Sequence, residues 1–462
     1  MKRKLKIVNA DVFADGQLKK ASIVVNDGII EEILEGDRFE PFDGEILDCT
    51  GKIVLPGSID THVHIREPGS EERETFLTGT MAAANGGVTT VLEHPISVPP
   101  PYNSEILENR INIAKPQMVV DCGFYGALGT ESIGNVKDMK EHGIVSFKTF
   151  LQEPMKGRER EFKGLTISDD YNLLKAMEEV HKYDMMMAFH AENDDIIKGI
   201  TKELTDSGRV DTKAHYESRP IVAEIECIIK LLVLAKAADT RILICHITTS
   251  EAMKILKTAK EQGIKVIVET CPQYIFTSEE ECIDLGPMAK CNPPIRKKDD
   301  VDKIWDYIND GTVDIIGSDH GPYIIEEKMP GYDNIFKAPA GFPGLETRVP
   351  LMLDAVNKGK MTLAKMVELI CENPAKIFKL DHKKGFIKPG LDADFMIVDM
   401  TKSYTIDKNK MYTKGRDVAE LFNERKVQGY IEKVILRGNT VMEDGVVKDS
   451  MAGYGQLIKP YQ

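Results

Sequence analysis

Residues 57–69 read GSIDTHVHIREPG and place two histidines, His62 and His64, at the end of an apolar run. In a β-strand, side chains two residues apart point to the same face. The two imidazoles therefore point toward one place, and neutral imidazole is a common ligand of zinc and related metals. This pair predicts a metal site at the end of a strand if other parts of the chain supply further ligands.

The following part of the chain alternates short apolar runs with longer amphipathic stretches. Eight apolar runs are predicted strands: SIDTHVHI, GVTTVLEH, QMVVDCGFYG, IVSFKTFL, MMMAFHAE, RILICHIT, KVIVET and VDIIGSD. Stretches such as NLLKAMEEVHKY, AEIECIIKLLVLAKAA and SEAMKILKTAKEQG are predicted helices between them. Eight βα units over about 300 residues predict an α/β fold, a (β/α)8 TIM barrel, with a doubly wound open sheet as the alternative.

The two ends of the chain are rich in β-strand patterns and contain no long helical pattern. Runs such as KLKIVNADVF near the start and GFIKPGLDADFMIVDM near the end are typical of strands. We expect residues 1–55 and 381–462 to form one small β-sandwich domain beside a barrel of residues 56–380. The basic start, MKRKLKIVNADVF, lacks the apolar core of a signal peptide and is predicted to begin a strand.

Composition excludes some functions. The 462 residues carry a net charge of −14, which disfavours binding to nucleic acid or to an anionic membrane surface, although a local basic pocket can still bind an anionic substrate. No apolar run has the length of a membrane span. The eight cysteines form no CxxC pair, which predicts free thiols in a reducing cytoplasm.

The predicted strands end in groups that can bind metals, at the barrel face where chemistry takes place. These groups are His62, His64, Lys148, His190, His246 and Asp319. The chain has only 10 histidines, so four at this face are hard to attribute to unrelated structural roles. A lysine at such a position is usually an ion-pair partner or a surface residue. A lysine kept neutral by burial can instead capture carbon dioxide, and the resulting carbamate can bridge two metals.

A series of motifs along the chain resembles the cyclic amidohydrolases, a family that includes hydantoinases, dihydropyrimidinases, allantoinases and dihydroorotases. The motifs occur in the family's order: HVHIREPG, SFKTFL, HAEN, CHITTSEA, ETCPQY, KCNPPIR, IGSDHGP and GFPGLET. The resemblance covers nearly the whole chain. It implies a barrel that holds two divalent metal ions, usually zinc, in a homotetramer or dimer.

The same resemblance implies a role for each predicted ligand. His62 and His64 would hold the more buried metal, and His190 and His246 the more exposed one. Lys148 would be carbamylated and bridge the two metals. A hydroxide that also bridges them would attack a cyclic amide, the small-molecule substrate. Asp319 would bind metal, accept the proton of the hydroxide and deliver it to the leaving nitrogen.

The particular member of the family is less clear from the motifs. Arg66 and Asn292 resemble the carboxylate-binding and ring-binding residues of dihydroorotases, although an ion pair with a neighbouring glutamate and a turn before Pro293 are the structural alternatives. Two departures weaken the dihydroorotase assignment, namely His94 followed by proline, and Tyr323 in place of a histidine. EHPISVPP and GYDNIFKAPAGFPGLET resemble hydantoinases and allantoinases more closely.

We therefore expect a hydantoinase-like or allantoinase-like enzyme, with a dihydroorotase as the alternative. The charged loop LQEPMKGRERE after Lys148 contains no tyrosine, which disfavours a dihydropyrimidinase. Two other classes share this barrel. A mononuclear deaminase has no use for Lys148, and a non-catalytic assembly protein would not retain the complete set of ligands.

Overall fold

The computed structural model describes residues 4–36, 41–154 and 157–461, so residues 1–3 of the basic start and residues 155–156 of the charged loop lie outside it. The strands are β1 (Lys4–Ala14), β2 (Gln17–Asn26), β3 (Ile29–Glu35), β4 (Glu45–Asp48), β5 (Ile53–Pro56), β6 (Ser58–Val63), β7 (Val88–Glu93), β8 (Asp121–Ala127), β9 (Ser146–Phe150), β10 (Met186–His190), β11 (Arg241–Ile244), β12 (Val266–Thr270), β13 (Ile315–Ile316), β14 (Phe395–Thr405), β15 (Lys426–Leu436), β16 (Asn439–Glu443) and β17 (Val446–Val447).

The α-helices lie mainly between the strands of the barrel. They are α1 (Phe76–Asn85), α2 (Ser104–Ala114), α3 (Val136–Glu141), α4 (Glu159–Phe162), α5 (Asp170–Lys182), α6 (Asp194–Asp206), α7 (Thr212–Ser218), α8 (Ile221–Ala238), α9 (Ser250–Glu261), α10 (Gln273–Phe276), α11 (Glu279–Cys282), α12 (Lys298–Asn309), α13 (Ile325–Lys328), α14 (Leu345–Asn357), α15 (Leu363–Val367) and α16 (Asn373–Ile377). Within the described ranges, no helix combines the length and the apolar character needed to cross a membrane.

Strands β6 to β13 form the predicted barrel, because each pairs in parallel with the next one along the chain. The ring closes through a parallel bridge between Val63 and His320. There the backbone N–H of His64 donates to the carbonyl of His320 at 2.8 Å. Every residue of β6, β7 and β8 is buried, since one side faces the barrel interior and the other faces the helices. The (β/α)8 barrel is confirmed, and the doubly wound alternative is wrong.

The helices around the barrel follow the predicted amphipathic pattern, as α5 illustrates. Its buried residues are Leu173, Ala176, Met177 and Val180, at the three- and four-residue spacing of one helical face. The side chain of Asp169 accepts a hydrogen bond from the backbone of the first turn and caps the helix. The helix therefore begins close to its predicted start, because the Asp169 cap and the first residues of the apolar face mark the same end of the helix.

The two ends of the chain combine in one nine-stranded sheet, in the order β17-β16-β15-β14-β5-β1-β2-β3, with β4 paired to β1. The ends join where β5 and β14 pair antiparallel, with Pro56 opposite Phe395 and Ile53 opposite Val398. The sheet has its own hydrophobic core, which includes Ile7, Val12, Ile23, Val54, Phe395 and Ile435. The predicted β-domain built from both chain ends is confirmed, while its exact boundaries stay a prediction.

A buried ion cluster connects this sheet to the barrel. The Lys384 Nζ lies 2.5 Å from Asp121 Oδ2 at the start of β8, 2.8 Å from Asp392 Oδ2 and 2.6 Å from Asp394 Oδ2. Arg437, after β15, also contacts Asp121 at 2.5 Å. The Lys384 side chain is only 1% exposed, so it neutralises carboxylates that water cannot reach.

We predict that Lys384→Met destabilises the fold by about 3–5 kcal/mol, because buried carboxylates lose their shared cation. Lys298→Met is the matched control, since Lys298 pairs with Asp302 on the surface and its loss should change stability by about 0.5 kcal/mol or less. The measurement is the free energy of unfolding in urea at neutral pH. Equal losses in the two variants would contradict the prediction.

Candidate functional site

The structure brings the six predicted metal ligands together at the C-terminal end of the barrel. Lys148 lies within β9, His190 ends β10, and the remaining ligands lie at the end of β6 or in the loops after β6, β11 and β13. The ring centroid of His62 is 5.1 Å from that of His64 and 5.4 Å from that of His246. The residues thus form one cluster, although their assignment as ligands is still a prediction.

The distances between the side-chain atoms fit a metal-binding shell. The Asp319 Oδ1 lies 3.2 Å from His62 Nε2 and 3.4 Å from His64 Nε2. His190 Nδ1 lies 3.1 Å from His246 Nε2. Two tetrahedral zinc ligands at about 2.0–2.1 Å from the metal are roughly 3.3–3.4 Å apart. The His190–His246 pair and the two contacts of Asp319 with His62 and His64 therefore have about the spacing of atoms that share a metal.

Burial favours the metal-binding form of three histidines of the cluster, His62, His64 and His246. Loss of hydration lowers the pKa of the His62 imidazole to about 3 and holds the pKa values of His64 and His246 well below the usual 6.5. A neutral imidazole offers a lone pair, whereas a protonated one does not. The donor set therefore suits divalent metals such as zinc.

Two residues of the cluster have backbone conformations that are rare outside glycine. His246 has a φ of 42° and Asp319 a φ of 51°. Such left-handed conformations cost on the order of 1–3 kcal/mol each and occur often at functional sites, where the surrounding structure enforces them. Here they turn the chain just after β11 and β13, which directs both side chains toward the cluster.

Lys148 lies inside the barrel and has an unusual environment. Its side chain is 1% exposed, and its Nζ donates to the Cys245 thiol at 3.1 Å. No carboxylate of the described ranges lies within ion-pair distance of it. The ion-pair and surface alternatives for Lys148 are therefore wrong, and this buried amine lies among neutral imidazoles.

The cluster opens into a cavity of about 780 Å³, and Arg66 forms part of its wall. Arg66 is 4% exposed, and its Nε and Nη1 have no hydrogen-bond partner in the described chain. Its guanidinium lies 5.0 Å from the centre of the Tyr323 ring. Its neighbour Glu67 accepts hydrogen bonds from Phe76 and Gln117 instead, so the structure does not show the ion pair considered as an alternative.

Asn292 also lines this cavity, and its Oδ1 is buried without a hydrogen-bond partner among the described residues. It precedes Pro293, as the turn interpretation requires. The two interpretations are compatible, because a turn can hold the amide where an acceptor faces the cavity. Tyr323, 3% exposed, lies on the same wall.

The sequence interpretation missed two residues that contact His62. Glu269 Oε1, at the end region of β12, lies 2.7 Å from His62 Nδ1. The His94 ring stacks on His62 with centroids 3.9 Å apart and an interplanar angle of 6°. The signal for Glu269 was an acidic residue ending the apolar run KVIVET, while His94 was noticed only as a departure from dihydroorotases.

Comparison with known proteins agrees with this geometry. The sequence profile of the Amidohydrolase family matches residues 53–441. The L-hydantoinase of Paenarthrobacter aurescens is 31% identical over 97% of this chain and 96% of its own length. An allantoinase of Salmonella choleraesuis (strain SC-B67) is 33% identical over 95% of this chain and 94% of its own.

Solved structures lead to the same class. The L-hydantoinase (dihydropyrimidinase) from Arthrobacter aurescens superposes with a TM-score of 0.94 and 30% identity, covering 99% of this chain and 100% of its own. A D-hydantoinase structure gives a TM-score of 0.90 at 27% identity, with coverage of 99% and 98%. The chain belongs to the amidohydrolase family, and the predicted class of hydrolase is confirmed.

Proposed function

We propose that this protein hydrolyses the C–N bond of a cyclic amide or ureide, with a hydantoin or allantoin as the ring. The observation that most directly supports this proposal is the cluster of candidate ligands. Its imidazoles, Asp319 and the buried Lys148 meet at one end of the barrel. The likeness to an L-hydantoinase and to an allantoinase over nearly the whole chain supports this class of substrate.

Two divalent metal ions, zinc in our assignment, fit the donor set. His62 and His64 would hold the more buried ion, and His190 and His246 the other. Carbon dioxide bound to Lys148 as a carbamate would bridge them, because it converts the buried amine into an anionic oxygen donor. When bound, two such metals supply an activated water at neutral pH and polarise the carbonyl of the substrate.

Asp319 is the residue we assign to proton transfer. Its side chain is 16% exposed, more than those of His62 and His64, so one face of the carboxylate remains open to the cavity. It would accept a proton from the attacking water and deliver it to the ring nitrogen that leaves. Asn292 Oδ1, which has no partner in the described structure, would accept a hydrogen bond from a ring N–H.

Arg66 favours a second candidate, a dihydroorotase. A buried guanidinium without an ion-pair partner in the described chain matches a substrate that carries a carboxylate, because such a contact is charge-assisted and bidentate. A neutral hydantoin carries no carboxylate and does not need this contact. We keep a homotetramer or dimer and a cytoplasmic location as further proposals, the latter supported by eight buried cysteines without disulfides.

Lys148→Ala should lose bound metal and activity together, because the bridging carbamate cannot form. Added short carboxylates should restore part of both. Elemental analysis of the parent should give about two metals per chain, as a binuclear site requires. A mononuclear deaminase would hold one metal. A variant that keeps two metals and normal turnover would refute the bridging role.

Asp319→Asn should reduce kcat by about 10²–10⁴-fold, because an amide of nearly the same size cannot accept the proton. The measurement is steady-state hydrolysis of hydantoin together with the metal content of the same preparation. A loss of less than tenfold with both metals retained would assign proton transfer to another residue.

Arg66→Gln distinguishes the two candidate substrates. On dihydroorotate, loss of the charge-assisted contact should cost about 2–5 kcal/mol, or roughly 30-fold to several-thousand-fold in kcat/KM. On hydantoin or allantoin we expect less than about tenfold. The kcat/KM values of Arg66→Gln on the two kinds of substrate are measured side by side with those of the parent. If the parent prefers dihydroorotate and Arg66→Gln loses activity selectively on that substrate, dihydroorotase replaces our first choice of function.

A further inference from the structure

His62 is held on two sides by residues that are absent from the predicted ligand set. Glu269 Oε1 lies 2.7 Å from His62 Nδ1, and both side chains are almost completely buried, at 0% and 1% exposure. The His94 ring covers the face of His62 at 3.9 Å. His94 is itself fixed, because its Nε2–H donates to the Thr61 carbonyl at 3.1 Å.

The contact with Glu269 favours one tautomer of His62 when the carboxylate is the acceptor. A neutral imidazole has one N–H group, and a carboxylate that accepts from Nδ1–H leaves the lone pair on Nε2. That Nε2 is the atom 3.2 Å from Asp319 Oδ1, on the side of the cluster. In that tautomer, Glu269 would set both the position of the proton and the direction of the ring.

The packing around this pair leaves little room for another arrangement. A Cβ at Gly317 would lie 2.9 Å from the Cβ of His62 and 3.2 Å from Oε1 of Glu269. Glu269 has no lysine or arginine within ion-pair distance in the described ranges, and its Oε2 has no hydrogen-bond partner there. A buried carboxylate with one strong contact is costly, so a role in stability alone does not account for it.

We propose that Glu269 is a positioning residue, which orients His62 Nε2 toward the metal while His94 supports the ring. The inference rests on the proposed function, because it requires His62 to be a metal ligand. It predicts that the length and acceptor character of residue 269 matter more than its charge. A glutamine keeps an oxygen at the same place, whereas an aspartate keeps the charge and withdraws the oxygen.

The test compares Glu269→Asp with Glu269→Gln by competition with a chelator for Zn²⁺. We expect Glu269→Asp to weaken the affinity for one metal by about 10–100-fold, and Glu269→Gln to remain within about fivefold of the parent. Glu346→Asp is the matched control, since Glu346 is a buried carboxylate hydrogen-bonded to Asn85 and to the backbone of Tyr412. It should lower the melting temperature without changing zinc affinity.

A second readout follows the proton itself. In the Co²⁺-loaded protein, the Nδ1–H proton of His62 should give a paramagnetically shifted NMR signal that exchanges slowly with water in the parent and in Glu269→Gln, and rapidly in Glu269→Asp. Equal zinc affinity and equal exchange in the parent and in Glu269→Asp would overturn the positioning role alone. A parent that binds no metal would overturn the proposed function and this inference with it.

Discussion

Closure of the parallel barrel is the constraint on which the site depends. The bridge between Val63 and His320 joins the first and last barrel strands, and all eight strands run in the same direction. Their C-terminal ends therefore share one rim, and residues far apart in the sequence meet there. His62 and Asp319 come within 3.2 Å of each other only because the ring is closed at this point.

Buried polar contacts hold that closure in place below the rim. Asp60 Oδ1 accepts hydrogen bonds from the backbone N–H of His62 at 3.2 Å and of Ser318 at 3.0 Å. Arg348 compensates the charge of Asp60 and donates to the Ile316 carbonyl at 2.8 Å. Because these groups are withdrawn from water, each needs its partner, and the first and last strands are fixed relative to each other.

The sequence predicted the barrel and the convergence of its candidate ligands because both depend on local patterns. Apolar runs mark strands, and a polar residue at the end of such a run marks the rim, as for Lys148 and His190. The contacts across the rim could not be predicted in the same way. The stacking of His94 on His62 and the bond from His62 to Glu269 join three different strands, and no spacing in the sequence encodes which neighbour a side chain meets.

In the function we propose, the reaction and the substrate depend on different parts of the cavity. The histidine cluster determines what chemistry is available, while the wall determines which ring can approach it. On that wall Arg73 pairs with Glu327 and Arg158 pairs with Glu161, so their charges are compensated. Arg66 lacks such a partner in the described structure, and an unpaired buried guanidinium carries a desolvation cost that an anion or water must offset. In the function we propose, the choice between a neutral and an acidic cyclic amide therefore depends on this one side chain, and not on the negative charge of the chain as a whole.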